Sequence, residues 1–143
     1  MKLLIKKVHP DAVMPEYKTP GAAAFDLTSI ETKTLAPREI YRFRTGLVAC
    51  IPSGHFMLIA SRSSNSVKKG ISMANGIGVI DSDFCGENDE LHVCVQNITD
   101  QPTTITAGDR IAQAMILPVE QVTFEEVTST GAADRGGFGS TGR

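Results

Sequence analysis

Ile40-Tyr41-Arg42-Phe43-Arg44-Thr45 sets the reading of this chain. Ile40, Arg42 and Arg44 alternate with Tyr41, Phe43 and Thr45, and the pattern runs on toward Val48 and Ile51. A period of two marks a strand with one buried face, because successive side chains leave the pleat on opposite sides. The alternation returns at Leu91-His92-Val93-Cys94-Val95-Gln96, and Leu3 to Val8 starts the chain with a short apolar segment. Phe56 to Ala60 is a nearly continuous apolar run, which predicts a strand buried on both faces. Ile111 to Leu117 is a second such run, and Val122, Phe124 and Glu126 are expected to close the series.

Turn signals separate these segments: Thr19-Pro20-Gly21, Ala36-Pro37-Arg38, Pro52-Ser53-Gly54, Asn75-Gly76, Thr99 to Pro102, and Ala107-Gly108-Asp109. One short stretch reads as helix. Ser63-Ser64 offers a cap, Val67-Lys68-Lys69 follow, and Gly70 can supply a left-handed end. Many short strands with turns between them imply an all-β sandwich, barrel or jelly roll. After Val127 too little apolar mass remains for a core strand. The expected organisation is a β core over 1–127 and a flexible glycine-rich arm over 128–143.

At 143 residues the chain is long enough for one domain, and 41% hydrophobic with 21% charged residues is the balance of a soluble globular protein. A formal net charge of −2 gives no global attraction to nucleic acid or an anionic membrane, so an anion site needs local positive charge. No apolar run reaches bilayer length, and Met1 to Lys7 is too short and too charged for a secretory signal. The three cysteines show no paired spacing, which fits reduced thiols packed in a cytoplasmic protein.

Four constellations could carry chemistry. Arg62-Ser63-Ser64-Asn65-Ser66 opens the short helix, so it is either a capped turn or a phosphate site made of backbone N–H groups, hydroxyls and a guanidinium. In Met73 to Gly86, Asn75-Gly76 signals a tight hairpin and Gly76 and Gly78 permit close approach to the backbone. Asp81 and Asp83 would share a side if the strand continued, as ordinary turn residues, a general base or a metal site. Gly108-Asp109-Arg110-Ile111-Ala112-Gln113 carries Gln113 into an apolar strand, where it needs hydrogen-bond partners. Asp134 to Arg143 combines glycines, hydroxyls and arginines, either as a flexible end or as an anion nest, and lacks the Gly-Lys-Ser/Thr of a Walker loop.

In this order the segments resemble the motifs of the trimeric dUTP diphosphatase family. Ala23-Ala24-Phe25-Asp26-Leu27 is similar to the first and Arg62-Ser63-Ser64 to the second. Gly78 to Gly86 is similar to the third, Gly108 to Gln113 to the fourth, and Arg135 to Gly142 to the fifth. Ala24, Ser61 and Phe84 depart from the usual Gly, Pro and Tyr. The fifth motif is shortened between Arg135 and Phe138, which bears on the reach of Arg135. Glu87-Asn88-Asp89 looks like an insertion. The shortening and the insertion resemble a subgroup of Gram-positive bacteria and their phages.

The resemblance implies a jelly-roll homotrimer that hydrolyses dUTP to dUMP and pyrophosphate, with sites at subunit boundaries closed by an arm from another subunit. Asp81 is implied as the base that activates water for attack on the α-phosphorus. Phe84 would lie against the deoxyribose, while Asn75 and the backbone at Ile77 and Val79 read uracil. Arg62, Ser63, Ser64 and Gln113 would hold the phosphates. Arg135, Ser140 and Thr141, with Gly139 between them, would grip the γ-phosphate, and Phe138 would stack on the base. Mg²⁺ is expected on the phosphates, with Asp26 acting through water. The phage-like features also admit a regulatory protein partner. A dCTP deaminase, the nearest enzymatic rival, would need a glutamate at the base, and Ile71 to Ser82 contains none. A binding protein on the same fold would show no turnover of any dNTP.

Overall fold

The computed structural model describes residues 1–137. Within them the chain is all-β and jelly-roll-like, with strands β1 (Leu4–Lys7), β2 (Phe25–Thr28), β3 (Lys33–Leu35), β4 (Ile40–Arg44), β5 (Leu47–Cys50), β6 (His55–Ala60), β7 (Ile71–Met73), β8 (Ile77–Ile80), β9 (His92–Asn97), β10 (Thr103–Ile105) and β11 (Arg110–Pro118). All pairings are antiparallel. A four-stranded sheet runs β2-β11-β6-β8, a three-stranded sheet runs β4-β9-β7, and β1-β5 and β10-β3 form two ribbons.

The alternating segments behave as their period demands. Phe43 on β4 and Val93 and Val95 on β9 are buried, and they meet Leu27, Met57, Ile59, Leu91, Ile105 and Ile111 in one core. The run at Phe56 to Ala60 differs from expectation. Only Met57 and Ile59 are buried, and Phe56, Leu58 and Ala60 on the other face are half-covered. β2, β3, β7 and β10 carry no strong apolar pattern of their own; β2 and β7 are strands because the longer β11 and β9 supply their hydrogen bonds, and β3 and β10 supply each other's.

Three further expectations are corrected. Val122, Phe124 and Glu126 form no strand. β11 ends at Pro118, and residues 119–137 are exposed. A strand needs an edge to pair with, and this segment meets none among the described residues. Asn75-Gly76 does not close a hairpin either. β7 pairs with β9 and β8 pairs with β6, so the turn carries the chain from one sheet to the other. Gly76, at φ 72°, takes the left-handed corner of that turn. The short helix is a single π turn, Asn65–Lys69, closed by Gly70 at φ 63°, and Ser64 at its start makes no side-chain cap.

Fully buried Asn97 ties the loops at one end of the sandwich together. Its amide nitrogen donates to the carbonyls of Leu35, Ala36 and Gln101, and its oxygen accepts from the Thr99 amide and hydroxyl. Removing the amide strands several buried carbonyls, so Asn97→Ala is expected to cost about 2–4 kcal/mol of stability. Urea unfolding checks this, and a loss below ~0.5 kcal/mol would mean the loops hold without the hub.

Candidate active site

One row across the four-stranded sheet organises the polar residues. Gln113 of β11 is opposite Asp26 of β2 on one side and Ala60 of β6 on the other, and Ala60 is opposite Ile77 of β8. Just past Ala60 the chain leaves the sheet as Ser61-Arg62. The Gln113 side-chain amide donates to the Ser61 carbonyl at 3.0 Å, and the Ser61 hydroxyl accepts from the Met73 amide at 3.0 Å. The half-buried Gln113 thus finds its partner in the loop it positions. Buried Asn65 fixes the other end of that loop, donating to the Ile111 carbonyl at 2.8 Å.

Two arginines converge here on one carboxylate. Arg62 Nε donates to Asp26 Oδ1 at 2.7 Å, and an Arg110 terminal nitrogen donates to Asp26 Oδ2 at 2.9 Å. Two cations on one anion leave the cluster net positive. The Arg62 bond uses only Nε, and among the described residues its terminal nitrogens make no hydrogen bond. They are the part of the fork that suits a phosphate. Lys69 is differently engaged, 2.7 Å from Asp109, where it helps hold that carboxyl below its ordinary value against the opposing effect of burial. The π turn is too short to build a useful helix dipole. Positive charge at this candidate site therefore rests on Arg62 and Arg110 rather than on a helix start, and Arg110 is a candidate that the sequence reading quoted within Gly108–Gln113 without giving it a role.

The second half of the site lies at the far end of β8. The strand stops at Ile80, and the Phe84 amide donates to the Asp81 carbonyl at 3.2 Å, so Asp81 to Phe84 closes a turn. The expectation that Asp81 and Asp83 share a side through a continued strand is therefore replaced. They converge through the turn on a groove of about 570 Å³ lined also by His55, Phe56, Val79, Ser82, Val119 and Gln121. His55 and Phe56 are there because β6 and β8 run side by side, with Met57 opposite Ile80. That register had no signal in the sequence. Ile77 and Val79 point outward on this edge strand, about half exposed. Gly78 faces the core, where a Cβ would meet the Cβ of Ile59 at 3.2 Å. Its smallness thus serves packing, whereas Gly76 serves the turn. Asn75 is exposed at that turn, and Phe84 is 40% exposed.

The loop from Asp81 to Leu91 is anchored beyond its turn. Glu90 receives three bonds from the Arg44 guanidinium, at 3.3, 3.0 and 2.9 Å, and one from the Gly46 amide at 2.7 Å. Burial raises the Glu90 carboxyl, but these donors outweigh burial and hold it below the ordinary carboxylate range. Farther out, Lys6 donates to the Glu87 carbonyl at 3.0 Å and pairs with its carboxylate. The Gly86 amide donates to Asp89 at 2.7 Å.

The family model for dUTPase matches residues 10–142.

The chain belongs to the dUTPase family.

Among relatives, a deoxyuridine 5'-triphosphate nucleotidohydrolase of Nautilia profundicola is 42% identical over 145 residues, covering 100% of both chains. One from Helicobacter hepaticus is 41% identical, covering 99% of this chain and 89% of the relative. The dUTPase of Staphylococcus bacteriophage 80alpha, solved with dUPNHPP, superposes with a TM-score of 0.86 at 26% identity, covering 99% and 98% of the two chains.

The fold brings Asp26, Arg62, Gln113 and the Ser63-Ser64 segment to one end of the sheet, and Val79 and Asp81 to the other. It does not bring the two groups together within one chain. Arg62 lies beyond Ala60 and Asp81 beyond Ile80, so they leave the shared β6–β8 ladder at opposite ends. At ~3.3 Å per residue, that is roughly 20 Å along the strands. Arg135 sits in the exposed stretch after Pro118, and Phe138, Gly139, Ser140 and Thr141 lie outside the described residues.

The Glu90 anchor sets an acid-sensitive contribution. A carboxyl depressed in the folded state stabilises fully above its unfolded value, about 4.3, and loses that effect as pH falls through the folded value. Glu90→Gln is therefore expected to lower the melting temperature at pH 7, with the gap to the native chain closing toward pH 3. Thermal melts across that range check it. A gap of constant size would assign the loss to packing rather than to charge.

Proposed function

We propose that this chain hydrolyses dUTP to dUMP and pyrophosphate at sites shared between neighbouring copies in a homotrimer. The observation that carries the shared site is the separation of its halves. A base and a phosphate clamp roughly 20 Å apart in one chain cannot act on adjacent atoms of one triphosphate. Three copies arranged in a ring would set the Asp81 end of one chain against the Arg62 end of the next. A second observation supports assembly. Val122, Phe124 and Val127 are exposed, Phe124 by 94%, in a segment without a strand partner of its own. Such side chains are expected to be covered by a neighbouring chain.

In this reading Asp81 accepts the proton of a water as its oxygen attacks the α-phosphorus and the bond to the β-phosphate oxygen breaks. Pyrophosphate leaves, and Asp81 keeps the proton until solvent takes it. Val79 and Asp81 already share a groove, so the base sits beside the edge strand that would read the nucleobase. The outward polar groups of β8 are free to meet the donors and acceptors of uracil, because β8 is an edge of its sheet. A cytosine presents the opposite polarity and would leave buried groups unpaired. Phe84, directly after the turn, would lie on the deoxyribose and leave no space for a 2′-hydroxyl.

At the other end Arg62, held by Asp26, would present its terminal nitrogens to the phosphates beside Ser63, Ser64 and Gln113. In-line transfer at phosphorus depends chiefly on such positioning and charge neutralisation. Arg135, Phe138, Gly139, Ser140 and Thr141 belong to the arm expected to close the site, which we take as 128–143.

Mg²⁺ suits this donor set as an ion carried by the substrate. Among the described residues no three His, Cys, Asp or Glu side chains gather to hold a metal, and both Asp26 oxygens already accept from arginines. Asp26 would meet the ion through water, and the ion would supply charge neutralisation at the phosphates.

Asp81→Asn keeps shape and hydrogen bonding and removes the base. It is expected to lower kcat for dUTP by more than tenfold, or more than ~1.4 kcal/mol in the barrier, with KM little changed. Steady-state pyrophosphate release reads this, and retention of kcat would move the base elsewhere. A mixing experiment tests the shared site. Asp81→Asn and Arg62→Ala chains, each nearly inactive alone, are expected to regain activity once their subunits exchange. Failure to regain it, with exchange shown by native mass spectrometry, would place both residues in a single-chain site.

A further inference from the structure

A turn and a bulge meet at Asn65. The Asn65 backbone amide donates to the Arg62 carbonyl at 3.0 Å, which closes Arg62-Ser63-Ser64-Asn65 into a turn. The Asn65 side-chain nitrogen donates to the Ile111 carbonyl at 2.8 Å. Ile111 is the extra residue of β11. Arg110 lies opposite Thr28 and Ala112 opposite Leu27, the very next residue of β2, while the pairing with β6 starts only at Gln113. Ile111 thus has no partner residue in either neighbouring strand. An extra residue of this kind is stable where its backbone polar groups find partners elsewhere. Asn65 and Ile111 are both buried, so the side chain supplies a donor where water has little access.

The residues beside these two points are the two arginines of the cluster. Arg62 opens the turn, and Arg110 directly precedes the extra residue. They divide Asp26 between them, with Arg62 Nε on Oδ1 and an Arg110 terminal nitrogen on Oδ2. A guanidinium facing a carboxylate commonly pairs through two parallel bonds, one to each oxygen. Arg62 makes only one, because Arg110 takes the second oxygen. Its terminal nitrogens are thereby kept off the acid.

We propose that Asn65 is a positioning residue for triphosphate binding, which holds the Arg62 turn against the Ile111 bulge so that the two arginines take different oxygens of Asp26. For its effect on binding the proposal rests on the phosphate role given above to Arg62. The placement of the side chains does not.

Without the Asn65 donor the buried Ile111 carbonyl is left unpaired, and the bulge loses its support. Ile111 then moves into the place opposite Thr28, and Arg110 recedes one residue farther from Asp26. Arg62 closes on both oxygens, and the part of its fork that suits phosphate is taken up by the acid. The damage stays in the phosphate half, since Ile77 and Val79 are on β8 and Asn75 and Phe84 lie in the segments that flank it.

Asn65→Leu keeps the approximate volume of the side chain and removes the donor. In the full chain it is expected to weaken binding of dUpNHpp, in which an imido group replaces the α–β bridging oxygen, on the order of tenfold, the scale of a lost contact to a charged group. Binding of deoxyuridine, which carries no phosphate, is expected to stay unchanged. Equilibrium titrations of both ligands read this, with urea unfolding to show a folded chain. If Asn65→Leu does not fold, Asn65→Ser, too short to reach Ile111, takes its place with the same expectation. Arg110→Ala is expected to give the same selective loss, and Asn65→Leu to add nothing in that background. Equal losses for the two ligands, no loss for either, or additive losses with Arg110→Ala would overturn the positioning role. A crystal structure of the variant without ligand decides the placement. Arg110 off Asp26 with Arg62 on both its oxygens supports it, and an unmoved pair overturns it. Failure of the native chain to hydrolyse dUTP or bind dUpNHpp would count against the proposed function, while that crystal structure still decides the placement.

Discussion

The pairing of β11 along both of its edges is the constraint on which the candidate site depends. β11 accepts β2 on one side and β6 on the other, and β6 in turn holds β8. Register in a sheet is all or none, because a slip of one residue sends every side chain to the opposite face. Core residues Ile111, Ala112 and Ala114 hold β11 in place, and with it the row from Asp26 through Gln113 and Ala60 to Ile77. A bulge between Arg110 and Ala112 re-aims the strand at the point where Arg110 reaches Asp26.

Charge is arranged around that row so that binding capacity is left over. Asp26 is largely buried, with its side chain 14% exposed, and a lone carboxylate there would be costly. Arg62 and Arg110 settle that cost and bring more positive charge than the acid cancels. The surplus is local, in a chain whose formal net charge is −2. Gln113 and Asn65 do for the backbone of the Ser61–Ser66 loop what Asp26 does for its guanidinium, since each ties the loop to β11.

The other half of the site is built on a loop whose stiffness comes from its ends. Glu90 locks one end to Arg44 and Gly46, and the Asp81–Phe84 turn locks the other to β8. Between them Glu87 meets Lys6 of β1, outside the core. A loop held in this way keeps its anchors while its crown can shift.

Much of this was legible in the sequence. Alternation at Ile40–Thr45 and Leu91–Gln96 determined β4 and β9 and their buried faces, because a period of two leaves a strand one way to bury its apolar side. Gly70 and Gly76 marked corners that need a positive φ, and the ordered motifs from Ala23 to Gly142 determined the family. Tertiary structure decided what local pattern does not encode. The Asn75-Gly76 corner looks the same whether its strands pair with each other or enter different sheets, since the choice is made by β6 and β9 far along the chain. Gly78 reads as a place for a ligand until Ile59 is seen beneath it. Val122 and Phe124 carry a strand pattern with no edge to join among the described residues, and Arg110 became a candidate only when the fold brought it beside Asp26, 84 positions away in sequence. The sequence by itself determined which residues are candidates for the chemistry. Only the tertiary structure decided that Asp81 and Arg62 stand at opposite ends of one ladder, because strand register is a relation between segments and resides in neither alone.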